Sequence, residues 1–253
     1  MLEEIINHHV LDHTLTHLSV FGLNLPVTKH LIMMWICGAI MLLGFPIILY
    51  AKSRPLRLAR TALEWGVVFI RDEIVIANMG EEGRPYTPYF CTLFFFILLL
   101  NMAGLVPFSA TATGNVSVTG GLALTTFLLI NILGIKQNGF VHYMKSFVPE
   151  GVPKWLYPLL YPIEVFGLIT KSFALCIRLF ANMVGGHIVL LSFISMIFIF
   201  SAINVYAGVF LAIPFEIPMA LFVTCLELFV AFLQAYIFTF LTAIFTGAAM
   251  HPH

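Results

Sequence analysis

Apolar residues run in long blocks along this chain, and the block lengths decide what they form. The first, VTKHLIMMWICGAIMLLGFPIILYA at 27–51, exceeds the roughly 20 residues that cross a hydrocarbon core. Two more, at about 89–106 and 117–135, predict a second and a third span within 89–135. From 155 to 249 the chain is almost continuously apolar, interrupted by Glu164, Lys171, Arg178, His187, Glu216 and Glu227. At about 1.5 Å rise per residue, two helices there would each be ~60–70 Å long, against a core about 30 Å thick. They must be tilted or bent. The expected fold is an all-α integral membrane protein with five membrane-inserted helices, the last two forming a long antiparallel hairpin.

Residues 54–80 follow another pattern. Arg57, Arg60, Glu64 and Arg71 recur at three, four and seven, with Leu56, Leu63, Val67, Ile70 and Ile74 opposite. That spacing predicts an amphipathic helix at the membrane interface or packed on the bundle. EEGRPYTP at 81–88 reads as a loop. The N-terminal MLEEIINHHVLDHTLTHLSV starts with acids and has no basic leader region. His8, His9, His13 and His17 suit one helix face, so a short surface helix is expected there. No cysteine or carboxylate cluster completes a metal site.

Lysine and arginine counts orient the spans. Residues 1–29 carry one, 52–84 six, 109–116 none and 136–154 three. This places the N-terminal segment 1–26 outside, 54–80 inside, and the C-terminus inside, with 1–253 as one membrane domain. Composition agrees: 60% of residues are hydrophobic and only 9% charged, where soluble domains carry about 25% charged. Twelve basic residues balance twelve acidic ones, which leaves no basic face for nucleic acid. Cys37, Cys91, Cys176 and Cys225 all sit in apolar segments without a CxxC, so no disulfide framework, metal or cofactor is expected.

The polar residues inside the apolar region fall into stripes. Glu164, Lys171 and Arg178 are seven apart, and Asn182 lies one turn beyond Arg178. Glu216, Glu227 and Gln234 form a second stripe, since eleven residues rotate by only about 20°. An antiparallel hairpin that pairs Arg178 with Gln234, and His187 with Glu227, turns near Tyr206-Ala207-Gly208. His187 lies nine residues past Arg178 and points away from that face on a straight helix, so its meeting with Glu227 does not follow from spacing. A membrane histidine can also simply bond a carbonyl, Gln234 can be helix glue, and Lys171 can snorkel. Arg178 is different. A guanidinium in mid-helix costs several kcal/mol in lipid and needs water, a carboxylate or both. No carboxylate of this chain is suitably spaced, which points to a partner chain.

Three motifs carry a family resemblance. SFALCIRLFANMVGGHIVLL resembles the arginine-bearing helix of the a-subunit family of rotary F-type ATP synthases, through Arg178, Leu179, Phe180, Asn182 and Gly185. LNMAGLVPFSATAT at 100–113 matches through Asn101, Gly104, Leu105, Pro107 and Thr113. ELFVAFLQAYIFTFLTAIF at 227–245 matches through Gln234 and Tyr236. The resemblance covers most of 30–249, in order. It implies a stator subunit with two proton half-channels. Arg178 would face the carboxylates of a rotating ring of c subunits, Gln234 would position it, and His187 and Glu227 would relay protons in the outer half-channel. Asn182 belongs to the same set, and Glu216 is either a further outer acid or a rim residue. The implied partners are the c-ring, peripheral-stalk b subunits, lipid and, indirectly, the F1 sector. The implied location is a bacterial inner membrane, or alternatively an organelle's energy-transducing membrane.

His187 and Glu227 stand in the reverse order from many bacterial members, where Glu precedes His, and 200–216 is longer than in some. The chain has no GxxxxGK[ST], so it binds no nucleotide by that motif. Sodium coupling is the nearest alternative. A secondary transporter would show repeats between its halves, and a mere scaffold has no use for Arg178.

Overall fold

Thr28 opens the first membrane helix: its Oγ1 accepts the Leu31 backbone N–H at 3.3 Å, the N-cap arrangement that satisfies an otherwise orphan donor. The computed structural model describes residues 14–20, 23–50, 54–106, 111–147, 153–203, 206 and 213–251. Helix α1 is Lys29–Tyr50, with a π segment at Ile40–Gly44. Helix α2 is Arg54–Phe69, continued by a π segment Ile70–Ile76 and the turn Ala77–Met79. After a 3-10 turn Glu81–Tyr86 come α3 (Thr87–Gly104), α4 (Val116–Asn138) and the short α5 (Phe140–Lys145). Two long helices close the chain, α6 (Tyr157–Ile203) and α7 (Ile213–Met250).

Five of these helical segments are long and apolar enough to cross a membrane, so the chain is a multi-pass all-α membrane protein. With 47 and 38 residues, α6 and α7 are ~70 and ~57 Å long, far longer than the core is thick. Both are unbroken long helices, as expected, with Pro162 inside α6 and Pro218 inside α7. Each is the sixth residue of its helix, where proline removes one i→i−4 hydrogen bond and favours a bend near the start.

The N-terminal segment differs from expectation. Instead of a surface helix, Thr14–Val20 (β1) and Leu23–Thr28 (β2) pair as an antiparallel hairpin, with His17 opposite Pro26 and Leu18 opposite Leu25. TLTHLSV and LNLPVT alternate and are rich in β-branched residues, and Pro26 opposes a helix. Histidine spacing alone could not weigh these. His8, His9 and His13 lie outside the described residues, as do Ala207 and Gly208 of the expected turn.

The chain forms two compact units, which interleave along the sequence. The first comprises Met1–Ala39, Ile97–Asn115 and Leu179–Gln234, the second Ile40–Phe96, Val116–Arg178 and Ala235–His253. In the second unit α2 is a packed element. Ile70, Ile74, Val75 and Met79 are fully buried, Phe69 meets Tyr236 with ring centroids 6.0 Å apart, and the Asn78 carbonyl lies against Gly247. Its first half stays exposed, at its charged residues and at Leu58 and Trp65 alike, with Arg60 and Glu64 paired at 2.8 Å. Nearby Arg71 binds Asp72 at 2.6 and 2.9 Å and holds its carboxyl below the usual carboxylate range. The end of α7 is tied down by Asn138, whose Nδ2 donates to the Ala249 and Met250 carbonyls at 3.1 Å. Glu82 bonds Gln137 and lies 3.7 Å from His251.

Candidate functional site

In the first unit α6 and α7 run antiparallel. Asn182 meets Gln234, and Gly186 meets Glu227, so the numbers rise on one helix as they fall on the other. The pair is held close by a missing side chain. A methyl at Gly186 would stand 2.5 Å from Glu227 Oε1 and 3.0 Å from its Cγ and Cδ, so the carboxylate rests on the α6 backbone. On the other side, a methyl at Gly104 would stand 2.6 Å from Met183 Cε and 2.9 Å from Thr111 Cγ2. Glycines thus draw α3, α6 and α7 together, as small residues do in membrane bundles.

Between these helices lies a cavity of about 340 Å³. Its wall is apolar except for Asn101, Asn182, His187, Glu227 and Gln234. Asn182 Nδ2 donates to Gln234 Oε1 at 2.8 Å, and Asn101 Nδ2 to the Ala231 carbonyl at 3.2 Å. Three atoms of this polar set are buried without a partner among the described residues: Asn101 Oδ1, Glu227 Oε1 and Gln234 Nε2. Leaving such atoms unpaired costs about 1–3 kcal/mol each, so a cavity this size beside them favours water, at about 30 Å³ per molecule.

His187 reaches this cavity although it lies about 140° around a helix from Asn182. Gly186 leaves part of the arc between them without a side chain, Met183 lines the rest, and one cavity spans both faces. Thr111 sets the ring's place. It precedes the 3-10 turn Ala112–Gly114, yet its side chain does not cap that turn. Its Oγ1 lies 2.7 Å from His187 Nε2 instead.

The structure therefore brings together Asn182, His187, Glu227 and Gln234, and leaves two of the expected residues apart from them. Glu216 does not line the cavity. It sits in the first turn of α7, 2% exposed, with Oε2 unpartnered among the described residues, about 16 Å along the helix from Glu227. Arg178 belongs to the second unit, where it is exposed and lines a groove of about 490 Å³ with Lys171, Leu241 and Phe245. Lys171 Nζ stands 5.5 Å over the Phe245 ring. Arg178 makes no ion pair among the described residues.

The sequence profile of ATP synthase A chains matches residues 31–247. The chain belongs to the ATP synthase A chain family. Relatives agree with that placement. ATP synthase subunit a of Myxococcus xanthus is 44% identical over 239 residues, covering 91% of this chain and 76% of the relative. Subunit a 2 of Chlorobium luteolum is 40% identical over 264 residues, covering 97% and 75%. Subunit a of Anaeromyxobacter dehalogenans is 45% identical, covering 92% of this chain but only 60% of the relative. Sequence reasoning passed over Thr111, and it marked Gly185-Gly186 only as a place for a bend or a close helix contact. A single threonine in a polar turn gives no periodic signal. The Gly185-Gly186 pair could be noticed, but not which side chain would use the space.

Proposed function

We propose that the chain is the stator subunit of the membrane sector of a rotary F-type ATP synthase, carrying protons to and from a ring of c subunits. The observation that carries this reading is the cavity in which His187 and Glu227, both able to exchange protons, share an apolar wall with unpaired polar atoms. Histidine titrates near neutral pH, and a carboxylate beside water can pass a proton on. This cavity serves as the outer half-channel. Asn182 and Gln234 order its inner end through their hydrogen bond, and the buried carboxyl of Glu216 acts farther out along α7.

Arg178 supports the other half of the reading. It is exposed in an apolar helix, with no ion pair among the described residues, so its counter-charge is a c-subunit carboxylate. Peripheral-stalk b subunits and the F1 sector complete the assembly, in the inner membrane of a bacterium, with the N-terminal segment outside and α2 on the inner side.

The test is ATP-driven acidification of inverted membrane vesicles carrying Glu227→Ala, with a and c subunits blotted to check assembly. Acidification is expected to fall about a hundredfold or more, the scale of a lost proton-transfer group. A near wild-type rate in an assembled complex would overturn the outer half-channel. ATP-driven sodium uptake into the same vesicles that persists with a protonophore would assign the sodium-coupled alternative.

Gly186 gives a geometric check. Gly186→Ala should slow acidification several-fold by pushing the Glu227 carboxylate off the α6 backbone. Glu227→Asp in the same chain, shorter by one methylene, should restore part of the rate. If the double variant is no faster than Gly186→Ala, the steric account fails.

A further inference from the structure

Resting on the proposed function, we infer that Thr111 is a positioning residue for His187, whose hydroxyl holds the imidazole in one orientation through every protonation state. The bond is short, 2.7 Å from Oγ1 to Nε2, and the chemistry of the partner matters. A backbone carbonyl only accepts, so it would hold Nε2 in its protonated form. A carboxylate there would favour the charged ring. A hydroxyl both donates and accepts. When Nε2 has no proton, the Thr111 O–H donates to it. When Nε2 is protonated, the same oxygen accepts. One rotation of the O–H bond separates the two states, and the ring does not move. Thr111 itself neither gains nor loses a proton. Each proton that His187 takes, it passes on.

The local structure spends a residue to achieve this. A threonine before a helical turn ordinarily caps it, but Thr111 leaves the Ala112–Gly114 turn without a side-chain cap. The turn is closed by backbone bonds, Gly114 N–H to the Thr111 carbonyl at 2.9 Å and Asn115 N–H to the Ala112 carbonyl at 3.2 Å. Two glycines admit the side chain. A methyl at Gly104 would lie 2.9 Å from Thr111 Cγ2, and one at Gly114 3.5 Å from Thr111 Cβ. Among the described residues of the same unit, the other titratable side chain lining the cavity with His187 is Glu227. Thr111 thus supplies a neutral contact of the ring and Glu227 an ionisable neighbour.

The experiment compares Thr111→Val and Thr111→Ser in the assembled complex, by ATP-driven acidification of inverted vesicles, alongside Glu227→Ala. Valine keeps the shape that fits against Gly104 and removes the hydroxyl. Serine keeps the hydroxyl and removes a methyl. Thr111→Val should slow acidification about fivefold, the factor corresponding to one lost hydrogen bond, and Thr111→Ser should stay within about twofold of wild type. Equal losses in both would make the role steric and overturn the inference. A wild-type rate in Thr111→Val, with Glu227→Ala impaired, would overturn it and leave the proposed function standing. A wild-type rate in Glu227→Ala would remove the proposed function, and the role of Thr111 with it. If Thr111→Val does not assemble, Thr111→Ala provides the same comparison against serine.

Discussion

Arg178→Ala is expected to abolish ATP-driven acidification of inverted vesicles while the a and c subunits assemble at wild-type levels. Assembly should survive because Arg178 is exposed and makes no ion pair among the described residues, so its removal leaves no buried partner unpaired. Losing a mid-helix charge in lipid even relieves a cost of several kcal/mol. Pumping should fail because the groove beside Leu241 and Phe245 then offers a passing carboxylate only Lys171, two helical turns away, or ~10 Å along the axis. Arg178→Lys separates charge from chemistry. An ammonium in an apolar groove loses its proton far more readily than a guanidinium, and it cannot bind a carboxylate through two parallel N–H groups. Lysine should therefore recover less than about a tenth of the wild-type rate. Full pumping by Arg178→Ala in an assembled complex would return the residue to a structural role.

Much of this architecture could be read from the sequence, for reasons that differ by element. Block length alone marks α1, α3, α4, α6 and α7, because a bilayer sets a minimum span that no soluble helix needs. The charged repeat of Arg57, Arg60 and Glu64 marks α2. That pattern could not tell a helix floating at the interface from one whose far end, Ile70 to Met79, is buried. The N-terminal strands were missed because four histidines drew the reading to helical spacing and away from the alternation around them. The site was partly legible. The hairpin register paired Arg178 with Gln234, yet the hydrogen bond to Gln234 comes from Asn182, one turn farther along. Spacing also set His187 away from Glu227, since it assumes that every position carries a side chain. Gly186, between Asn182 and His187 around the helix, does not, and it lines the cavity with them. Thr111 lies outside any periodic element, so only the folded chain shows what its hydroxyl does.

Gly247→Ala should remove the subunit from the membrane rather than impair a step of transport. Alanine in place of an exposed helical glycine usually stabilises by about 1 kcal/mol, and Gly121 on α4, with nothing near its missing Cβ, should behave that way. At Gly247 the sign reverses. The added methyl would run into the Asn78 backbone carbonyl, with the Asn78 carbonyl carbon 3.1 Å and Met79 Cα 3.5 Å away. A backbone atom cannot rotate aside. The end of α2 is also fixed, by Asn78 Nδ2 donating to the Ile74 carbonyl at 2.7 Å and by fully buried Ile74, Val75 and Met79. The helices must then separate by roughly an ångström, which loosens packing along their whole contact, where overpacking costs about 1–3 kcal/mol or more. Membrane levels of Gly247→Ala by blot should fall below about a tenth of wild type, with Gly121→Ala unchanged. Equal levels of the two would show that α2 does not pack on α7 through this glycine, and that α2 instead lies free at the interface, the alternative that the sequence pattern left open.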